Sequence, residues 1–215
     1  MQNILIIGLG RFGKHLAVKM KNEGCDIMAV EADESKAQSV LEDIRNVMIA
    51  DAREETIIRS LDVDSYDMCV VAISDDFQTA LEVTVLLKDF GARYILARAE
   101  TEVHRKLLLR NGADKVICTD LEMAERLAFT YAFDNVYDYI RLTGDMSIYE
   151  IETPKSWLGH KFSEHSLYEK YDLSILATKQ EDADTLIPEP SNDYIFNEGD
   201  HLVVLGTDNN LRKLI

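Results

Sequence analysis

Cysteine, proline and long apolar runs are scarce in this chain, and so is positive charge. Three cysteines, Cys25, Cys69 and Cys118, are spread over 215 residues without a CxxC pair. That spacing argues against a disulfide framework or a zinc ribbon and reads as reduced, mostly buried thiols of a cytosolic protein. Of three prolines, Pro188 and Pro190 fall together in the loop before Tyr194. No apolar run approaches the roughly 18 residues of a membrane span. The first residues enter a strand pattern directly, without the charged and apolar regions of a signal peptide. Lys and Arg number 23 against 39 Asp and Glu, for a net charge of −16. Nucleic acid and anionic lipid both demand clustered cations, so the charge argues against either as a direct partner. Walker, His-Glu-x-x-His and Gly-x-Ser-x-Gly sequences do not occur, nor do internal repeats or low-complexity tracts.

What is present is a core-forming chain, 47% hydrophobic, long enough for one large or two small domains. Its organising stretch runs from Met1 to Glu31. Asn3 to Ile7 is a short apolar run of the kind that forms a buried parallel strand. It ends in Gly8-Leu9-Gly10-Arg11-Phe12-Gly13. From Arg11 the spacing becomes helical, with Phe12, Leu16 and Met20 on one face. A second strand, Asp26 to Val30, ends on Glu31. In a nucleotide-binding turn Gly8 permits the tight bend, Gly10 admits a pyrophosphate and Gly13 lets helix and strand pack closely. Helix-start N–H groups attract phosphate, and an acid at the position of Glu31 accepts hydrogen bonds from ribose. The alternative is a glycine turn that serves packing alone.

Further on, Asp33 or Ser35 caps an expected helix to about Asp43. Strands are expected at Asn46–Ala50, Met68–Ile73, Tyr94–Ala97 and Lys115–Cys118, separated by helices at Glu54–Leu61, from Phe77 to the Gly91 stop, and from Val103 to Asn111. This alternation predicts an α/β fold, a doubly wound (Rossmann) parallel sheet of six strands. Ligands of such sheets sit at the carboxyl ends of the strands. Those ends carry Gly8 to Gly13, Glu31, Asp51-Ala52, Ser74 to Asp76 and Arg98. Arg11 and Arg98 can each reach phosphate oxygens, which suits ATP or ADP at least as well as NAD(H). Arg11 pairing with a surface acid such as Asp33 is the alternative. Glu31 disfavours a 2′-phosphate and hence NADP.

Residues 120–134 read as one more helix with a wide apolar stripe through Met123, Leu127 and Tyr131. It either packs on its own sheet or crosses to a partner subunit. The expected division is 1–134 for the nucleotide-binding domain with this crossover helix, 135–144 for a linker, and 145–215 for a small α+β domain. In the second domain strands are expected at Ser147–Glu152, Leu173–Ala177 and His201–Leu205, with a short helix near His165 to Lys170. His160 and His165 are candidates for hydride-transfer chemistry by residue type only, in what reads as a solvated turn. An NAD-dependent oxidoreductase with an unidentified small substrate is therefore the alternative function, one that lacks a base. His15, on the first helix, reads as a surface or packing residue, and His104 as a surface residue that could also lie near the ligand. A redox-sensing repressor is opposed by the net charge.

The chain also resembles a known family. Ile6-Ile-Gly-Leu-Gly-Arg-Phe-Gly13, Val30-Glu31, Asp51-Ala52, Val70-Val-Ala-Ile73 and Asn111-Gly-Ala-Asp-Lys-Val-Ile117 are similar to RCK domains, regulators of potassium conductance. The likeness is to Ktr- and Trk-type gating subunits with TrkA-N and TrkA-C domains, the latter ending at Gly199-Asp200 and Leu202-Val-Val-Leu-Gly206. The resemblance implies a cytoplasmic, non-enzymatic subunit, peripheral to the membrane through its partner. Homodimers formed through the crossover helix would assemble into an octameric ring on an integral-membrane potassium-translocating subunit. ATP against ADP, or NAD against NADH, would change the ring at Gly8, Gly10, Arg11, Phe12, Gly13, Glu31, Asp51, Ala52, Ser74, Asp75 and Arg98. Asp120 matches the acid that holds a divalent or monovalent cation at the dimer interface. Lys170-Tyr171 matches the cyclic di-AMP pair, but Tyr168 stands where the family has arginine, a departure that argues against cyclic di-AMP.

Overall fold

A computed structural model describes residues 2–180 and 185–214. The outer ends of the two expected domains, Met1 and Ile215, lie outside the described residues. Two compact units are present, 1–121 and 122–215.

In the first unit β1 (Asn3–Ile7) explains its own continuous apolar text. Leu5 and Ile7 enter one core while Ile4 and Ile6 enter another, because successive side chains point to opposite sheet faces and both are covered. Helix α1 (Arg11–Asn22) lays Phe12, Leu16 and Met20 on the second core. Then come β2 (Asp26–Glu31), α2 (Glu34–Gln38), β3 (Asn46–Ile49), α3 (Glu55–Ser60), β4 (Met68–Val71) and α4 (Phe77–Asp89). They are succeeded by β5 (Ile95–Arg98), α5 (Glu102–Arg110), β6 (Lys115–Ile117) and α6 (Thr119–Ala132). The sheet order is β3-β2-β1-β4-β5-β6, every pairing parallel. This is the doubly wound order, with a crevice where β1 and β4 send their connections to opposite faces.

Helix α2 is shorter than its spacing suggests. Asp33 caps it by accepting from the Ser35 and Lys36 N–H groups. Beyond it the Val40, Leu41 and Asp43 N–H groups donate in the tighter i→i−3 pattern, and the Ser39 hydroxyl donates to the Lys36 carbonyl. Two cysteines, Cys69 and Cys118, are buried; Cys25 is half-buried. Burial pushes the Cys69 thiol up to about 12.

Residues 135–144, expected as a linker, instead contain β7 (Val136–Thr143), paired antiparallel with β8 (Met146–Glu152). Val136 and Tyr139 are buried there, and the ladder shifts register twice, which breaks the strict alternation that would have marked a strand. The division between units falls at 121/122, within α6, rather than at 134/135. The unit continues through α7 (Leu167–Tyr171), β9 (Ser174–Lys179), β10 (Leu186–Pro188), β11 (His201–Thr207) and α8 (Asp208–Leu211). Its sheet order is β10-β9-β11-β8-β7. Tyr149, Ile151, Leu202, Val204 and Phe196 form its core, against which Phe129 and Phe133 pack from α6 and its C-terminal end.

No residue of α6 is buried in the single chain, and Met123, Leu127 and Tyr131 are exposed. His165 does not sit in a solvated turn. Its ring stacks on Trp157 with centroids 4.3 Å apart, and burial holds its pKa below the ordinary value. His160 is exposed and lies 3.1 Å from Glu164. Among the described residues no helix is long and apolar enough to cross a membrane.

Candidate functional site

The carboxyl ends of the first-unit strands enclose a cavity of about 410 Å³, a size suited to a small ligand. Gly8 turns the chain out of β1 at φ +96°, and a side chain here would meet Ile73 Cγ1 at 2.9 Å. Gly10 begins α1 with no side-chain cap, so the first helical N–H groups keep their hydrogen-bonding capacity for a ligand. A Cβ on Gly10 would have nothing within 4 Å, leaving the backbone open to close approach. Gly13 has the opposite surroundings: a Cβ there would overlap the Gly8 carbonyl oxygen and stand 3.0 Å from Ala72 Cβ.

Glu31 is buried beneath this turn. The Leu9 N–H donates to its Oε2 at 2.6 Å and the Asp33 N–H to its Oε1 at 3.0 Å. One carboxylate thus ties the glycine turn to the start of α2, leaving its remaining lone pairs for hydroxyl donors. At the end of β3, Asp51 is gripped by Arg53. The guanidinium Nη2 and Nε donate to Oδ2 at 2.6 and 3.1 Å, and Nε also reaches Oδ1 at 3.0 Å. This bond to Arg53 holds the Asp51 carboxyl below its ordinary pKa.

Arg98 closes the far side. Its guanidinium lies 5.3 Å from the Phe12 ring centroid, and Nη2 is 3.8 Å from Asp120 Oδ2. Its Nε is buried without a hydrogen-bond partner among the described residues. Buried donors of this kind ordinarily find one, so the arginine has capacity to spare for an incoming acceptor.

Gly8, Gly10, Arg11, Glu31, Asp51, Ala52, Ser74, Asp75 and Arg98 all line the cavity, as their positions in the sequence suggest, and Asp120, matched by resemblance to an interface cation site, lines it as well. Phe12 and Gly13 do not: Phe12 supports Arg98 from below, and Gly13 seats α1. Lys36, Thr79 and Glu100 line it without having been anticipated. Lys36 stands in the first turn after the Asp33 cap, so the helix start next to an acidic strand end was the available signal. Arg11 forms no ion pair among the described residues, so pairing with Asp33 does not account for it.

Around Asp120 a single chain supplies little for a metal. Among the described residues no three His, Cys, Asp or Glu side chains cluster as ligands, and the opposite charge at Asp120 is Arg98. In the second unit Tyr168 is exposed, and the Lys170 ammonium lies 4.9 Å from the Tyr171 ring centroid.

Residues 4–119 match the TrkA-N domain family and residues 146–215 the TrkA-C domain family. Among similar chains, the Ktr system potassium uptake protein C of Bacillus subtilis (strain 168) is 29% identical over 202 residues, spanning 94% of this chain and 90% of that one. The Ktr system potassium uptake protein A of the same organism is 29% identical over 208 residues, spanning 97% and 93%. Among solved structures, the GsuK RCK domain superposes with a TM-score of 0.70 at 20% identity, over 99% of this chain and 46% of that one. The GsuK channel bound to NAD gives a TM-score of 0.52 at 22% identity, over 99% and 38%. This chain spans less than half of either solved chain, and at such identity the likeness is one of fold. With both domain matches in their expected order along nearly all of its length, the chain belongs to the TrkA-N/TrkA-C family of RCK-containing proteins.

Proposed function

We propose that this protein is a cytoplasmic, nucleotide-binding regulatory subunit of a potassium uptake system, not an enzyme. The observation that carries the reading is the crevice itself: an uncapped helix start beside Gly10, with Arg11, Lys36 and Arg98 as cations around it. A phosphorylated nucleoside matches that arrangement, its phosphates at the glycine turn and its ribose at Glu31. The full-length similarity to Ktr potassium uptake proteins supplies the transport context. The NAD in one fold neighbour supports NAD(H) as a ligand class beside ATP and ADP.

The second element is α6, whose exposed Met123, Leu127 and Tyr131 form a stripe that a second copy would cover. Dimers made there would build an octameric ring on a membrane subunit that conducts potassium. A cation shared between copies at Asp120 would then draw its further ligands from the partner or from the nucleotide. Gating is a population shift: a ligand opens the ring only to the extent that it binds the open form better than the closed one.

Calorimetric titration with ATP, ADP and NADH, together with light scattering, tests this. Saturable binding of a nucleotide and an assembly near 195 kDa, eight chains of 24.4 kDa, are expected. Steady turnover of NADH with a small substrate, or no nucleotide binding at all, would overturn it.

A further inference from the structure

The bidentate grip of Arg53 on Asp51 has no counterpart around the crevice among the described residues, and both partners are partly solvated, so stability alone gives little reason for it. We infer that Arg53 is a positioning residue for base recognition: it fixes Asp51 as an acceptor that admits a 6-amino purine and rejects a 6-oxo purine. The inference rests on the nucleotide reading above and deepens it.

Three observations converge. The first is placement. Phosphates belong at the end of β1 and ribose at the end of β2, and the next strand in the sheet is β3, which leads to Asp51. Two strand spacings are about 10 Å, the reach of one nucleoside. The second is the count of lone pairs. Asp51 Oδ1 accepts from both the Arg53 backbone N–H, at 3.0 Å, and Nε, at 3.0 Å. Oδ2 is taken by Nη2 at 2.6 Å, with Nε making a longer, shared contact at 3.1 Å. One acceptor direction, on Oδ2, remains for a ligand. The third is rotamer locking. The backbone and side-chain bonds from Arg53 hold Asp51 from two sides, so that direction is fixed before the ligand arrives.

An ionised carboxylate cannot donate. Adenine presents an amino group at position 6, which pairs with it. Hypoxanthine and guanine present a carbonyl oxygen there, which sets acceptor against acceptor; their neighbouring N1–H reaches the carboxylate only if the base shifts away from the direction that Arg53 fixes. At neutral pH the Asp51 carboxyl is ionised and can only accept, and the bond to Arg53 lowers its pKa further.

The test compares ATP with inosine triphosphate, which differ at the 6 position of the base and its adjoining ring nitrogen. Affinities are measured by calorimetry for the full-length protein and for Asp51→Asn, Arg53→Met and Arg53→Lys, with inorganic tripolyphosphate as the base-free probe. The unaltered protein is expected to favour ATP by about tenfold or more, the scale of one hydrogen bond to a charged group. Asp51→Asn should bring the two nucleotides within about threefold, since a carboxamide can donate or accept. Arg53→Met and Arg53→Lys should narrow the ratio as well, with tripolyphosphate affinity and melting temperature unchanged. Equal affinity of the unaltered protein for both nucleotides, or a ratio that survives Arg53→Met, overturns the inference while leaving nucleotide binding intact. Failure of ATP and tripolyphosphate alike to bind would overturn the nucleotide reading and this inference together.

Discussion

Gly10 and Gly13 stand three residues apart in one turn, yet the structure assigns them opposite sensitivities. At Gly13 an added methyl would overlap the Gly8 carbonyl oxygen and stand 3.1 Å from the Gly8 carbonyl carbon. The obstacle is backbone, which no rotamer change relieves, so α1 must lift from the β1 turn. Overpacking of this kind costs about 3 kcal/mol, the upper end of its usual range. For a unit of this size that lowers the melting temperature by roughly 10 °C. At Gly10 the backbone has φ −60° and ψ −179°, which alanine adopts freely, and nothing lies within 4 Å of the added methyl. Gly10→Ala should therefore cost less than about 1 kcal/mol in stability. Its effect falls on the ligand, because the methyl occupies the space through which phosphate reaches the helix-start N–H groups. Loss of one charge-assisted hydrogen bond weakens ATP about tenfold or more. The assay needs a probe for the first unit. The only tryptophan, Trp157, lies in the second unit, so its fluorescence serves as the control and calorimetry or far-ultraviolet dichroism reports on the first. The expected pattern is a lowered first-unit transition for Gly13→Ala, and native melting with weakened ATP binding for Gly10→Ala. A Gly13→Ala protein that melts like the parent, or a Gly10→Ala protein that binds ATP like the parent, refutes the reasoning.

Other outcomes rest on the same geometry. Arg11→Ala should weaken ATP more than ADP in calorimetry, since only ATP carries the outermost phosphate; an equal loss for both places Arg11 on the inner phosphates. Glu31→Gln retains one acceptor oxygen where two now serve Leu9 and Asp33, so urea unfolding should show a loss of about 1–3 kcal/mol from the stranded N–H. In the second unit the Arg126 guanidinium holds the Asp138 carboxyl below its ordinary pKa, through bonds of 2.9 and 2.7 Å. A depressed native value means stability that is present above the ordinary carboxylate pKa and is lost as pH falls through the native one. Urea midpoints against pH should show this acid-side loss in the parent and a smaller one in Arg126→Met; identical profiles would exclude the pair as its source.

Much of the first unit was legible because its strands are buried on both faces and its turns carry glycine. Asn3–Ile7 needs no knowledge of its neighbours to be read as a central strand, and the glycines after it announce the bend. The strand-end rule likewise found Glu31, Asp51 and Arg98 without a view of the cavity. Contacts made by flexible side chains were less accessible. Nothing in the order Asp51-Ala52-Arg53 tells whether the arginine turns outward to water or back onto the acid, and Lys36 enters the cavity only because α2 begins where it does. In the second unit the strand after α6 was hidden by two register shifts, and Asp138 in its middle is the partner of Arg126. The packing of His165 on Trp157 joins residues eight apart through irregular chain, a geometry without a periodic signature.

The place where the chain divides has a practical consequence. The boundary falls within a continuous helix, and Phe129 and Phe133 belong to the core of the second unit, so no loop is available at which to cut. A fragment beginning at residue 135 would be born without two of its own aromatic rings. Anyone dissecting this protein should start the carboxyl-terminal piece upstream of the helix and accept the duplicated segment in both halves.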